Sequence, residues 1–146
     1  MQIQPYLYFG GRCEEALAFY GKALGAKVNM MMRFKEMPAE EGQGGAGGDG
    51  QPPLPAGWED KIMHASVTVG QSEIMASDGM PGAPPEPFAG FSLSIVAPSL
   101  DQARQWFDAL SEGGRVMMPM QKTFWSEGFG MLQDRFGLSW MVNVAH

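Results

Sequence analysis

The sequence predicts an α+β fold built from two β-α-β-β-β modules, and three observations carry that expectation. Two stretches place apolar residues at three- and four-residue spacing, the mark of an amphipathic helix: Ala16, Leu17, Phe19, Tyr20, Ala23 and Leu24 in one, and Leu100 to Glu112 in the other. The helices share a phrase, Ala16-x-x-Phe19-Tyr20 against Ala103-x-x-Trp106-Phe107. Each helix has a short strand pattern before it and three after it. One such unit alone leaves a sheet face open, so the two are expected to pair and form a cup-shaped sheet.

Residues 2–9 alternate loosely and predict the first strand. The first helix then runs from Arg12 to Leu24, with Gly25 as its stop, and a strand follows from Ala26 to about Phe34. Residues 36–60 carry Gly42, Gly44, Gly45, Gly47, Gly48, Gly50, Pro52, Pro53 and Pro55, too much Gly and Pro for regular structure. They read as a long loop, with a pocket lid or a subunit-bridging arm as the alternative. Lys61–Val69 and Ser72–Ser77 predict a hairpin across Gly70–Gln71, and residues 80–87, with four prolines, a linker. The second cycle is a strand at Gly90–Ala97, a helix at Leu100–Glu112 stopped by Gly113–Gly114, a strand at Arg115–Met118 and a hairpin over 129–144. Residues 1–146 thus read as a single domain, module one about 2–79 and module two about 88–144.

Composition excludes several classes of function. A net charge of −6, with ten basic residues scattered along the chain, argues against a nucleic-acid partner, which draws its affinity from clustered Lys and Arg. No apolar run approaches the roughly 20 residues of a membrane helix. Cys13 is the single cysteine, so no intrachain disulfide is possible, and Met1–Pro5 lacks the start of a signal peptide. A cytoplasmic protein is expected. Ten of the thirteen methionines fall within or beside the strand candidates, and they read either as ordinary core or as the lining of a forgiving apolar cavity.

Several motifs, taken in order, carry a family resemblance. They are Pro5–Phe9 leading into Cys13–Ala16 with Phe19–Tyr20 and Leu24–Gly25, Met63–Ala65, Met75–Gly79, and an aromatic end. That end comprises Gln121–Trp125, Gly128–Gly130 and Asp134–Trp140. Over almost its whole length the chain resembles the PhnB-like branch of the vicinal oxygen chelate superfamily, which includes glyoxalase I, bleomycin-resistance proteins and extradiol dioxygenases. The resemblance implies the glyoxalase/bleomycin resistance fold and a homodimer. Members have carried methyltransferase labels, but no glycine-rich strand-to-helix turn follows an apolar strand here, so that label is rejected.

Enzymes of the superfamily bind one divalent metal through His, Gln or Glu. The resemblance puts those positions at Pro5 or Gln4, Met75, Ser92 or Ser94, and Met141. Of these only Gln4 offers a ligand for a hard or borderline metal, and both histidines lie elsewhere, His64 on the third strand and His146 at the last residue. A metal-free site without cofactor is expected.

Strand parity indicates what lines the cup instead. On Ile62–Val69, the residues Met63, Ala65, Val67 and Val69 share one face, assigned to the helix, and Ile62, His64, Ser66 and Thr68 share the other. The same argument sends Glu73, Met75, Ser77, Ser92, Ser94, Ser139, Met141 and Asn143 toward the cup. Phe124, Trp125 and Trp140 are expected at its rim, with a hairpin-packing or dimer role as the other reading of Trp125 and a place under a helix as the other reading of Trp140. The ligand contacts this predicts are Ser66, Met75, Ser77, Ser92, Ser94, Phe124, Trp125 and Met141.

His64 has two readings: a general base paired with Glu73 or Asp78, or a hydrogen-bonded structural histidine. Cys13 at the helix entry would be favoured as a thiolate by the helix dipole, though a structural role is expected of it. Asp134 is expected to cap the last hairpin turn. Together these readings predict a protein that binds a small organic ligand in a metal-free cup. The alternatives are a glyoxalase-like lyase or isomerase using a metal or His64, and a drug-sequestering protein of the bleomycin-resistance type.

Overall fold

Both predicted helices are present in the computed structural model, which describes residues 1–37 and 54–145, and each starts and stops for a local reason. Helix α1, Cys13–Leu24, ends at Gly25, whose φ of 71° is the left-handed turn that glycine adopts without strain. Arg12 at its N-cap contributes no side-chain cap. The cap comes instead from Asp78, one oxygen of which accepts the N–H groups of Gly11 and Cys13 at 2.8 Å each. Helix α2, Leu100–Ser111, is capped by Ser99, whose hydroxyl accepts from the Gln102 N–H at 3.2 Å. The phrase shared in sequence becomes a shared buried pair, Ala16 with Tyr20 and Ala103 with Phe107.

Eight strands follow the same repeat. Strands β1 (Tyr6–Tyr8), β2 (Lys27–Arg33), β3 (Ile62–Val69) and β4 (Ser72–Ser77) form one sheet in the order β1-β4-β3-β2, with β1 parallel to β4. Strands β5 (Leu93–Ala97), β6 (Arg115–Gln121), β7 (Phe129–Gln133) and β8 (Ser139–Val144) form a second in the order β5-β8-β7-β6, with β5 parallel to β8. Both are four-stranded β-α-β-β-β units, and the chain divides into two compact units, Met1–Gly21 with Gly25–Glu86, and Lys22–Leu24 with Pro87–His146.

Each sheet has one apolar face. In the first unit Leu7, Ala65, Val67, Ile74 and Ala76 are buried; in the second Leu132, Trp140, Val142 and Val144 are, with Phe107 and Leu110 of α2. A buried Leu or Val side chain of this kind contributes about 1.5–3 kcal/mol. At Gly130 on β7 a Cβ would stand 2.7 Å from the Phe107 ring, so α2 lies directly against the glycine backbone.

The structure departs from the sequence reading at four places. Strand β1 is shorter than residues 2–9, because Pro5 has no N–H to donate; its carbonyl still accepts from the Met75 N–H at 3.0 Å. Strand β6 runs past Met118 to Gln121, since it lies at the edge of its sheet and Pro119 falls within a register shift there. Strand β5 begins at Leu93 rather than Gly90, leaving Ser92 just before it.

The fourth departure is on β3. Arg33 pairs with Ile62 while Met32 pairs with His64, so Met63 is an extra residue in a bulge and the alternation slips. Ile62, expected on the cup face, is fully buried, and Met63, expected under the helix, is only half-buried.

The Gly/Pro-rich stretch is described only at its two ends, which are fastened together. Phe34 meets Trp58 edge-on at 5.8 Å, Lys35 pairs with Asp60 at 2.7 Å, and the Phe34 N–H donates to the Lys61 carbonyl at 3.1 Å. Of the loop, lid or arm expected over residues 36–60, the part at 38–53 lies outside the described residues, as does His146.

Candidate functional site

In the first unit the face opposite the apolar one is a ladder of polar, thioether and aromatic groups. Register sets Tyr6, Met75, Ser66 and Met30 side by side across β1, β4, β3 and β2. The Tyr6 hydroxyl and His64 Nδ1 share a hydrogen bond of 3.0 Å, and their rings lie 5.6 Å apart. Tyr8 continues the row, 5.0 Å from Tyr6. One step further along, Thr68 stands opposite Glu73 and accepts from Asn29 Nδ2 at 2.8 Å.

This geometry corrects the partners expected of His64. Its hydrogen bond is to Tyr6, not to Glu73 or Asp78. Glu73 accepts from Gln4 Nε2 at 3.1 Å, and Asp78 is buried, spending its second oxygen on the Ile62 N–H at 2.8 Å. Asp78 is therefore a structural capping group. Tyr6 was missed as a site residue although the parity that selects Met75, its parallel neighbour, was legible. Ser77 is 3% exposed and its hydroxyl accepts from the Gly79 N–H, so it is engaged in the turn after β4. Ser66 and Met75 remain half-buried on the polar face.

The second unit repeats the pattern. Ser94, Met141, Met131 and Met118 lie side by side across β5, β8, β7 and β6, and the next row is Val96, Asn143, Phe129 and Gln121. Ser94 is exposed and Ser92 is half-buried ahead of the strand. Beside the second row, Phe129 meets Trp125 at 5.4 Å and Trp125 meets Phe124 at 4.8 Å, both edge-on. Phe124 is 97% exposed and Trp125 43%, on a turn where the Thr123 hydroxyl accepts the N–H groups of Trp125 and Ser126.

Trp140 is not at a rim. It is buried, and its indole N–H donates to Asp134 Oδ2 at 2.9 Å. The other oxygen of Asp134 accepts the N–H groups of Phe136 and Leu138, the turn-capping role expected of it.

The ionisable groups near the first helix fall into two kinds. Burial pushes the Cys13 thiol far up, and the carboxylates of Asp78 and Glu14 add to the effect; the dipole argument for a thiolate is overridden. Glu14 is held below the usual carboxylate range by its paired hydrogen bonds from Arg33, at 2.7 and 2.9 Å.

The metal positions implied by the family test poorly against this donor set. In the first unit they hold Pro5 or Gln4 with Met75, and Gln4 already donates to Glu73; in the second they hold Ser94 with Met141. Thioethers and a serine hydroxyl do not fit a hard or borderline divalent ion, which asks for imidazole or carboxylate. Among the described residues no three His, Cys, Asp or Glu side chains are grouped for a metal, and no helix is long and apolar enough to cross a membrane.

Comparison with known proteins agrees with the fold. The profile of the Glyoxalase/Bleomycin resistance protein/Dioxygenase superfamily matches residues 2–142. Protein YjdN of Escherichia coli (strain K12) is 37% identical over 99% of this chain and 95% of that protein. The crystal structure of protein PA1353 from Pseudomonas aeruginosa is similar with a TM-score of 0.79 and 44% identity, over 99% of this chain and 97% of that one. The PhnB protein from Bacillus cereus shares the fold with a TM-score of 0.73 and 24% identity, over 99% and 100% of the two chains. The chain belongs to the Glyoxalase/Bleomycin resistance protein/Dioxygenase superfamily.

Proposed function

We propose that the protein binds a small, polar-headed organic ligand on the polar faces of its sheets, without a resident divalent metal. One observation supports this most: the rows Tyr6–Met75–Ser66 and Ser94–Met141–Met131 put thioethers and hydroxyls where metal-using relatives would need imidazoles or carboxylates. In the first unit the proposed ligand contacts are His64, Ser66, Met75 and Glu73, without Ser77, whose hydroxyl is buried in the turn after β4; in the second unit they are Ser92, Ser94, Met141, Phe124 and Trp125. Elemental analysis of untagged protein tests the metal half. We expect no stoichiometric Zn, Ni, Fe or Mn; near one ion per chain, removable by chelator with loss of stability, would sink it.

The Tyr6–His64 hydrogen bond favours a second reading, a lyase or isomerase in which His64 removes a proton alpha to a carbonyl. In the tautomer protonated at Nδ1, the ring donates to the Tyr6 hydroxyl oxygen, which fixes it and leaves the Nε2 lone pair free to take the proton. Turnover lost in His64→Ala and impaired in Tyr6→Phe, with ligand still bound, would select this reading. The exposed Phe124 and Trp125 favour a third, trapping of a planar drug without chemistry.

We also place the chain in a two-fold dimer in the cytoplasm. Each sheet has two edge strands, and an aromatic turn stands exposed beside the second. Light scattering should give twice 15.9 kDa; the monomer mass at micromolar concentration would contradict the dimer.

A further inference from the structure

Among the described residues one buried side-chain polar atom has no hydrogen-bond partner, the Oδ1 of Asn143. Withdrawing an amide oxygen from water without a donor is unfavourable, and such orphans mark where something absent from the protein chain completes the bond. The neighbours of this one are apolar and aromatic. Asn143 lies between Val96 and Phe129 in register, on the face of the second sheet opposite its buried side. Phe129 is half-buried and carries the edge-on contacts to Trp125 and then Phe124, both exposed. An unanswered acceptor next to accessible ring surface calls for a flat group that brings its own N–H or O–H.

We propose that Asn143 and the Phe129–Trp125 pair form a subsite for an aromatic or conjugated ring bearing a hydrogen-bond donor, with Asn143 Oδ1 accepting from that donor. The inference rests on the reading that the polar faces bind an organic ligand and specifies what the second sheet takes. Ring surface against Trp125 supplies the contact area, and the donor supplies orientation and selectivity. An acceptor-only ring of the same size leaves Oδ1 buried and unpaired, so it is discriminated against.

Benzimidazole and 1-methylbenzimidazole are a matched pair of probes, alike in ring and basicity, of which only the first has an N–H. In titrations followed by NMR, benzimidazole should bind about tenfold more tightly than the methylated ring, the scale of one hydrogen bond. Asn143→Leu should bring benzimidazole down to the methylated level and raise the melting temperature of the free protein, because it removes an orphaned group. Trp125→Ala should weaken both probes alike. Equal affinities in the native protein would overturn the proposal, as they would if water alone served Oδ1. A lower melting temperature for Asn143→Leu would also overturn it, by showing that the amide is already satisfied in the native state. A metabolite hit whose thermal shift is indifferent to Asn143→Leu would remove this subsite while leaving the ligand-binding reading in place.

Discussion

Asp78 caps the helix that begins at Cys13: its Oδ1 accepts the Cys13 N–H at 2.8 Å from the end of the neighbouring sheet. With Gly11 and Ile62 it satisfies three backbone donors, and the Lys61 ammonium donates to the Gly11 carbonyl beside it at 2.9 Å. Asp78→Ala should cost about 3 kcal/mol or more, since buried N–H groups are left without acceptors. Asp78→Asn, which keeps one acceptor oxygen, should cost less. Urea denaturation checks the order, and an alanine variant within ~0.5 kcal/mol of native would show that water replaces the carboxylate.

Trp140 and Asp134 make the corresponding link in the second unit. Trp140→Phe keeps the ring and loses the donor, and should cost about 1–3 kcal/mol because the buried carboxylate loses one of its partners. Denaturation followed by circular dichroism measures this without depending on the missing fluorophore.

The contact of Gly130 with Phe107 predicts a specific intolerance. Gly130→Ala places a methyl 2.7 Å from the ring, and the alanine should destabilise the fold by about 1–3 kcal/mol. The double variant Gly130→Ala with Phe107→Leu should recover part of the loss, and failure of any recovery would contradict the steric account.

The Glu14–Arg33 pair gives a pH dependence of known sign. The folded-state pKa of Glu14 is depressed below 4.5 by Arg33, so its contribution is present above that value and is lost as pH falls through the folded pKa. Both groups reach solvent, so the effect is small. Glu14→Gln should be less stable than native at pH 7, and the gap should close once pH falls below the folded pKa of Glu14. A gap that persists there would assign the difference to packing.

The repeat, the helices and the β3–β4 hairpin were legible in the sequence because each is written locally: Ala16 and Tyr20 at helical spacing, Gly25 as a stop, Gly70–Gln71 between alternating runs. What failed was long-range. The bulge at Met63 depends on how β2 lies against β3, and it moves Ile62 into the core against strict alternation. Of the two readings of Trp140 the rim fails and the buried one holds, as its parity opposite to Met141 allows, but hydropathy does not reveal that Asp134 accepts its indole N–H. His64 looked like a partner for Glu73 because both share parity, but Tyr6 from a strand 58 residues away reaches it instead. The structural role expected of Cys13 agrees with its burial, and only the dipole argument for a thiolate fails there.

The outward face of β3 can be separated from its core face by mutation. Val67→Ala should cost about 1–3 kcal/mol through packing whatever ligand is present, as Val67 is fully buried. His64→Ala, half-buried beside Tyr6, should retain most of the unliganded stability and lose much of any ligand-induced shift. Collapse of the His64→Ala protein would make the histidine a structural member of the sheet.

The central claim is that this chain holds an organic ligand with its own hydroxyl, imidazole, thioether and aromatic groups and not through a divalent ion. A thermal-shift screen of metabolites and metals, run with and without chelator, tests it most directly. A ligand at about 100 times its dissociation constant adds roughly 2.7 kcal/mol to the native state, which raises the melting temperature of a chain this long by about 5 °C. The account predicts such a shift from an organic compound, unchanged by chelator and diminished in His64→Ala. A shift produced only by Zn, Ni or Mn, or an organic shift that chelator abolishes, would contradict it.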